Sequence, residues 1–288
     1  MRAVGIILAG GNNNRMKELT HKRAVAAMPI AGSYRSIDFA LSNMTNSHIQ
    51  KVAVLTQYNA RSLNEHLNSS KWWNFGRKQG GLYVFTPTIT NDNGYWYRGT
   101  ADAIYQNMDF LKKSHEPYVV IASGDAVYKM DYSKVLQYHI DKKADVTVVC
   151  KEMDPSDDVS RFGTIRMDDD MRITEFEEKP MVTKSNMIST GIYVIRRRLL
   201  IDLIEHAAEE ERFDFVNDVL IRYKNLKKIY GYKIDHYWSN IATVDAYYKT
   251  NMDFLKRDVR DYFFKQYPDV YSKVEDLPPA KYNYGANV

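Results

Sequence analysis

The sequence predicts an α/β protein with a mostly parallel, mixed central sheet flanked by helices. Two observations carry this. Short β-branched apolar runs recur along the chain, and amphipathic stretches at helical spacing separate them. The run Ala3 to Ala9 reads as a buried first strand, followed by a polar loop. A helix is expected around Tyr34 to Ser47, where Ile37, Leu41 and Met44 fall on one face. Val52 to Thr56 is the second strand, Arg61 to Asn68 its helix, and Gly81 to Phe85 a further short strand. Thr100 is a plausible N-cap for a helix carrying Ile104, Met108 and Leu111. Tyr118 to Ser123 is a buried strand ending in Gly124-Asp125, Tyr132 to Lys142 is helical, and Asp145 to Cys150 is extended. Beyond Arg161, strands are expected at Gly163 to Met167 and Arg172 to Glu177, joined by the acidic turn Asp168-Asp169-Asp170, and at Ile188 to Ile195. Helices follow at Arg198 to Glu209, Asp214 to Tyr223 and Val244 to Leu255. The tail LPPAKYNYGANV has a Pro-Pro break and no periodicity.

With 288 residues, 44% of them hydrophobic, the chain is long enough for a full core. Forty basic against 36 acidic side chains leave a formal charge of +4, too mild and too mixed to argue for nucleic acid or membrane as partner. The single cysteine, Cys150, excludes an internal disulfide framework and sits in the apolar run DVTVVC, as a buried strand residue in a reducing cytosol would. The start, MRAVGIILAGG, runs straight into a Gly/Asn loop without a small-residue cleavage site, unlike a secretory signal. No segment approaches the roughly 18 apolar residues of a membrane span. A cytoplasmic protein is the expectation.

Four segments hold candidate chemistry. Leu8-Ala9-Gly10-Gly11-Asn12-Asn13-Asn14-Arg15 follows the first strand, where a tight loop presents backbone N–H groups to phosphate. Gly and Asn tolerate the left-handed conformations such a loop requires, and Arg15 could add a fork of donors; an ordinary turn with a solvated arginine fits equally. Trp96-Tyr97-Arg98-Gly99-Thr100-Ala101 would set a helix N-terminus and an aromatic wall beside a ligand, or would be a capped helix with core aromatics. Asp125 lies at the carboxyl end of a strand, where ligands gather in open α/β sheets, so it is a natural magnesium ligand or else a turn residue. Glu178-Lys179-Pro180 puts a cation beside an acid, which suits a sugar phosphate but also a solvated surface pair.

Taken together, the stretches LAGGNNNRM, LTHKRA, YRSIDFALSNMTNS, WYRGTADAIYQNMDF, GDAVYKMDY, FEEKP, STGIYVI and HYWSNIATVDAYYKTNMDF resemble, in order and spacing, the glucose-1-phosphate adenylyltransferase (ADP-glucose pyrophosphorylase) family. They cover the chain from its first strand to the Pro-Pro tail. The resemblance implies a Rossmann-like nucleotidyltransferase domain of GT-A type over residues 1–257, with 258–288 leading toward a C-terminal left-handed β-helix domain for which no sequence is present. It implies a reaction of ATP and glucose 1-phosphate to ADP-glucose and pyrophosphate with Mg²⁺, in glycogen synthesis. Arg15 would hold the triphosphate and Asp125 a magnesium ion. Leu8, Gly10, Gly11, Tyr97, Gly99, Thr100 and Ala101 would line the nucleotide pocket. Lys179 would hold the sugar phosphate, with Glu178 and Ser189 near the sugar.

The departures from the family pattern are as informative. Its loop reads Gly-Gly-x-Gly-Thr-Arg, and here Asn12-Asn13-Asn14 fills the variable, glycine and threonine places. A catalytic lysine and a proline are replaced by Val25 and Ala26, and the histidine after Gly-Asp by Ala126. The Asp-Val-Gly-Thr that supplies a second magnesium carboxylate is Asn240-Ile241-Ala242-Thr243. Removing one preorganised charge-stabilising group typically lowers the rate by about 10²–10³. Val25 and Asn240 remove two. The chain is most similar to the GlgD-like regulatory branch, which implies a weakly active subunit that modulates a catalytic homologue. An active enzyme in which Lys17, Lys22 or Arg23 substitutes for the lysine, and a sugar-phosphate or nucleotide sensor, are the alternatives.

Overall fold

The computed structural model describes residues 2–76, 80–88, 94, 96–274 and 283–285. The Pro-Pro break of the tail lies outside them. Eleven strands concern us: β1 (Ala3–Leu8), β2 (Lys51–Leu55), β3 (Gly81–Phe85), β4 (Tyr118–Ser123), β5 (Ala126–Tyr128), β6 (Val146–Glu152), β7 (Gly163–Met167), β8 (Ile173–Glu178), β9 (Met187–Arg196), β10 (Ile229–Ile234) and β11 (Trp238–Asn240). Nine of these form one sheet. Its order runs β8-β7-β9-β4-β1-β2-β3, with β6 also on β9 and β10 on β6. The β3-β2-β1-β4 half is parallel, as the uninterrupted apolar strands predict. The antiparallel part is built on β9, which pairs with β4, β6 and β7. The expected mixed, mostly parallel Rossmann-like sheet is therefore present.

Helices α1 (Ser36–Asn46), α2 (Arg61–His66), α3 (Thr100–Gln106), α4 (Met108–Lys112), α5 (Tyr132–Asp141), α6 (Arg197–Glu209), α7 (Val244–Asp253) and α8 (Arg257–Phe264) accompany the strands. Two apolar cores form, one containing Ile7, Val54, Val120 and α1, the other Ile6, Leu55, Ile121 and α6. This is the alternation of β1, β2 and β4 residues between opposite sheet faces. The segment expected as a helix from Asp214 to Tyr223 opens as a π-helix over Phe215–Ile221, with Asp214 capping it through Asn217 N–H at 2.7 Å. Cys150 is fully buried on β6, and burial pushes its thiol up to about 12. Its neighbour β10 passes it at Gly231, where a Cβ would lie 3.3 Å from Cys150 Sγ and 2.0 Å from Met167 Sδ.

The segment after 257 packs onto this body. Phe263 is fully buried beside Phe39 and Phe254 in a third cluster. Lys129 Nζ caps α8 by donating to the carbonyls of Tyr262 at 2.8 Å, Phe263 at 3.4 Å and Gln266. Buried Asp38 accepts from Ser272 Oγ at 2.6 Å and from the Arg35 backbone N–H at 2.8 Å, and lies 2.7 Å from His66 Nε2. Residues as late as Ser272 thus share hydrogen bonds with the first helices.

Candidate functional site

At the carboxyl ends of β1, β2 and β4 lies a cleft of about 740 Å³. It brings together Leu8, Gly10, Gly11, Arg15, Val25, Tyr97, Gly99, Thr100, Asp125, Lys179 and Asn240, which are far apart in the chain. Position at the strand ends is what the α/β rule predicts. Of the expected residues, Ala101, Glu178 and Ser189 do not line it. Ala101 is buried, Glu178 reaches Lys179 Nζ at 2.9 Å, and Ser189 Oγ lies 3.2 Å from the hydroxyl of Tyr193, itself a wall residue.

The loop after β1 differs from its expected conformation. None of residues 10–14 has a positive φ; the left-handed residue nearby is Lys17, at φ 49°. Gly10 instead runs close to the end of β2, where a Cβ would approach Gln57 N and Cβ to a tight 3.2 Å. At Gly11 a Cβ would meet nothing within 4 Å. Asn13 is engaged at both ends of its amide. Its oxygen accepts from Arg15 N–H at 2.9 Å, and its nitrogen donates to the Ala242 carbonyl at 2.7 Å. The loop is thereby fastened across the cleft to the turn after β11.

Asp125 is set by three contacts around Gly124. Ser36 Oγ at the start of α1 donates to the Gly124 carbonyl at 3.0 Å, and Gly124 N–H donates to Leu8 at 3.0 Å. The Asp125 carbonyl accepts from Ile241 N–H at 3.0 Å, continuing the β5-β11 ladder in which Ala126 faces Asn240. The positions of Asp125 and Asn240 are therefore neighbours across two strands. Asp125 Oδ1 accepts from Ser123 Oγ at 2.5 Å, and Asn240 Oδ1 accepts from Ala242 N–H at 3.0 Å. Magnesium carried by a nucleotide takes one or two carboxylates plus phosphate oxygens. Here one carboxylate faces an amide whose oxygen is already turned onto its own loop, and no group of three or more potential metal-holding side chains occurs among the described residues. The residues do not fit a two-carboxylate magnesium site.

Val25 lies in a 3₁₀ turn over Val25–Ala27, buried in an apolar cluster with Met16, Met28, Phe39 and Ile241. It offers the cleft methyl groups where the family pattern has an ammonium. Of the cations considered as substitutes, Lys17, Lys22 and Arg23, none lines the cleft.

On the opposite wall the helix start is satisfied from within. The N-cap of α3 is Gly99, one residue before the expected Thr100. The N–H groups of Ala101 and Asp102 donate to the Phe213 carbonyl at 2.8 and 3.3 Å, so these donors are taken. Thr100 Oγ1 accepts from Phe215 N–H at 2.9 Å. A Cβ at Gly99 would lie 2.3 Å from that same Phe213 oxygen, so this glycine serves a backbone approach within the fold. Tyr97 is mostly core, its hydroxyl held by Asn107 Nδ2 at 2.9 Å and raised in pKa by burial. Trp96 is exposed and stacks on Tyr58, 6.0 Å between ring centroids.

Several wall residues escaped sequence reasoning, among them Gln57, Arg161 and Phe162. Gln57 follows β2 and clamps Tyr97 like a backbone strand, accepting from its N–H at 2.6 Å and donating to its carbonyl at 3.2 Å. Its place just past a strand end was the available signal. Arg161 and Phe162 come from the polar stretch before β7, where nothing periodic marks them. Arg161 is partly buried, and that burial lowers its pKa while Asp158 and Asp125 counteract and Arg15 adds to the fall. Its guanidinium donates to Thr243 Oγ1 at 3.2 Å and lies 4.7 Å from the Phe162 ring centroid.

Residues 4–257 match the nucleotidyl transferase family. The glucose-1-phosphate adenylyltransferase of Thermosipho melanesiensis is 38% identical over 291 residues, covering 99% of this chain and 69% of that protein. Its counterpart from Lachnospira eligens is 39% identical over 279 residues, with 96% and 65% covered. That of Clostridium novyi is 40% identical over 280 residues, with 96% and 73% covered. The chain spans between 65% and 73% of the length of these relatives. No described helix is long and apolar enough to cross a membrane. By fold, by cleft and by these matches, the chain belongs to the glucose-1-phosphate adenylyltransferase family of nucleotidyl transferases.

Proposed function

We propose that the chain is the nucleotidyltransferase unit of a catalytically impaired, GlgD-like subunit that regulates a catalytic homologue in bacterial glycogen synthesis. Its ligands are glucose 1-phosphate, ADP-glucose or ATP, and it works in the cytoplasm. Residues 1–257 are taken as the unit, with 258–288 continuing from it and its first part docked on the same body. The observation carrying the reading is the state of two cleft positions where the family pattern has charged side chains. Val25 is packed in an apolar cluster, and the Asn240 amide is bonded to its own turn. In-line attack on an α-phosphorus depends on positioning and on neutralising charge, and each lost group costs about 10²–10³ in rate, though two such losses need not multiply. Arg15 would still hold phosphate and Lys179 the sugar phosphate, while Asp125 is left as one carboxylate of an incomplete magnesium site. The test mixes the full-length protein with a catalytic glucose-1-phosphate adenylyltransferase from the same organism and follows pyrophosphate release. The expected result is an altered rate or altered substrate dependence of the partner. An unaltered partner at excess subunit would refute the regulatory role.

A further inference from the structure

Four cationic side chains line the cleft, Arg15, Arg98, Arg161 and Lys179, against the single carboxylate of Asp125. Two of the four have a carboxylate in contact. Arg98 pairs with Asp102 at 3.2 Å, and Lys179 with Glu178 at 2.9 Å. Arg15 and Arg161 form no ion pair among the described residues, yet their charges act on each other across the cleft wall. Asp158, Asp125 and Asp157 offset part of this from a distance, but no carboxylate contacts the partly buried Arg161 guanidinium among the described residues, and its burial is the dominant penalty. An anion in the cleft relieves it. Arg161 is also preorganised: Thr243, at the end of the turn that carries Asn240, fixes one nitrogen, and Phe162 lies beside the guanidinium. The remaining donors of its fork are left for oxygens.

We infer that Arg161, with Arg15, holds the phosphates of a nucleoside polyphosphate in place of a divalent cation, so that this cleft binds its nucleotide without magnesium. The two differences belong together. The Asn240 turn lacks the carboxylate that would hold the ion, and the hydroxyl of the same turn, on Thr243, positions a permanent cation beside the same phosphates. The inference rests on the reading of the cleft as a nucleotide site. A single phosphate, as in glucose 1-phosphate, falls instead to Lys179.

Calorimetry on the full chain tests this, with ATP, ADP-glucose and glucose 1-phosphate, each in excess magnesium and in excess EDTA. Nucleotide Kd values should agree within about twofold between the two conditions. Arg161→Ala should weaken ATP and ADP-glucose at least tenfold in EDTA, with glucose 1-phosphate changed less than twofold. Arg161→Lys, which keeps the charge and loses the fork, should fall between. Asn240→Asp should make nucleotide binding depend on magnesium. Tenfold tighter nucleotide binding by the unmodified protein in magnesium would overturn the inference while leaving the nucleotide site standing. So would an equal loss for glucose 1-phosphate in Arg161→Ala. Absence of nucleotide binding in both conditions would overturn the inference and the nucleotide reading together. Unchanged thermal midpoints separate lost contacts from lost folding, and the unmodified protein in EDTA answers alone should Arg161→Ala not fold.

Discussion

The two ends of the cleft differ in how their polar groups are used. At the proposed sugar-phosphate end, Lys179 keeps an exposed ammonium on a backbone held at φ 47°, a left-handed conformation that is strained for lysine. The Phe162 carbonyl accepts its N–H at 3.1 Å, and Gly191, at φ 75°, lets β9 bulge toward Ser123. The result is a largely solvent-exposed cation, paired with Glu178, held at the mouth of the cleft. At the proposed triphosphate end the replaced positions are satisfied from within. Asn13 bonds Ala242, Asn240 bonds its own turn, and Val25 joins a core. The difference teaches that the replacements did more than delete charges. They supplied internal partners for the replaced side chains, and left the Arg15 and Arg161 guanidinium groups as the open charges of this end.

The strongest attempt to break that contrast is to rebuild the quiet end. Val25→Lys with Asn240→Asp should raise pyrophosphate release from ATP and glucose 1-phosphate by about 10²–10³ or more, the worth of one or two recovered charge-stabilising groups. A rate within twofold of the unmodified chain would mean the contrast is not what limits turnover. At the other end, Lys179→Ala should weaken glucose 1-phosphate by roughly 10–100-fold in calorimetry, as befits a charged hydrogen bond of about 1.5–3 kcal/mol. Undiminished affinity would place the sugar phosphate elsewhere. Gly99→Ala sharpens the point that the helix start serves the fold. It should lower urea-unfolding stability by about 1–3 kcal/mol through overpacking on Phe213, and an unchanged midpoint would return that glycine to ligand binding. The smallest effect is expected from Asn13→Gly. Losing the bond to Ala242 should cost about 0.5–1.5 kcal/mol and free the loop, with tighter ATP binding as the sign that the clasp competes with phosphate.

Much of the scaffold could be read from residues alone, for identifiable reasons. β1 and β4 are buried on both faces and announce themselves as unbroken apolar runs, and α5 and α6 show helical spacing. β5 and β11 did not, because three residues carry no period and their pairing joins segments distant in sequence. β10 is interrupted by Gly231, and α8 is a charged segment in which only Phe263 is fully buried. Within the cleft, the departures at Val25 and Asn240 were visible by resemblance, but what those side chains do instead was not. That depends on the apolar cluster that Val25 shares with Ile241 and on the Asn240 amide meeting Ala242 N–H. The Gly/Asn loop was expected to need left-handed backbone; the fold uses Gly10 to make room for Gln57 instead.

Steady-state pyrophosphate release by the isolated full-length protein, at saturating ATP, glucose 1-phosphate and magnesium, tests the central claim most directly. Working enzymes commonly turn over at about 1–10³ s⁻¹. The buried Val25 and the inward-turned Asn240 amide predict a rate at least about 10² below that of a catalytic relative assayed beside it. Turnover equal to the relative's would contradict the account.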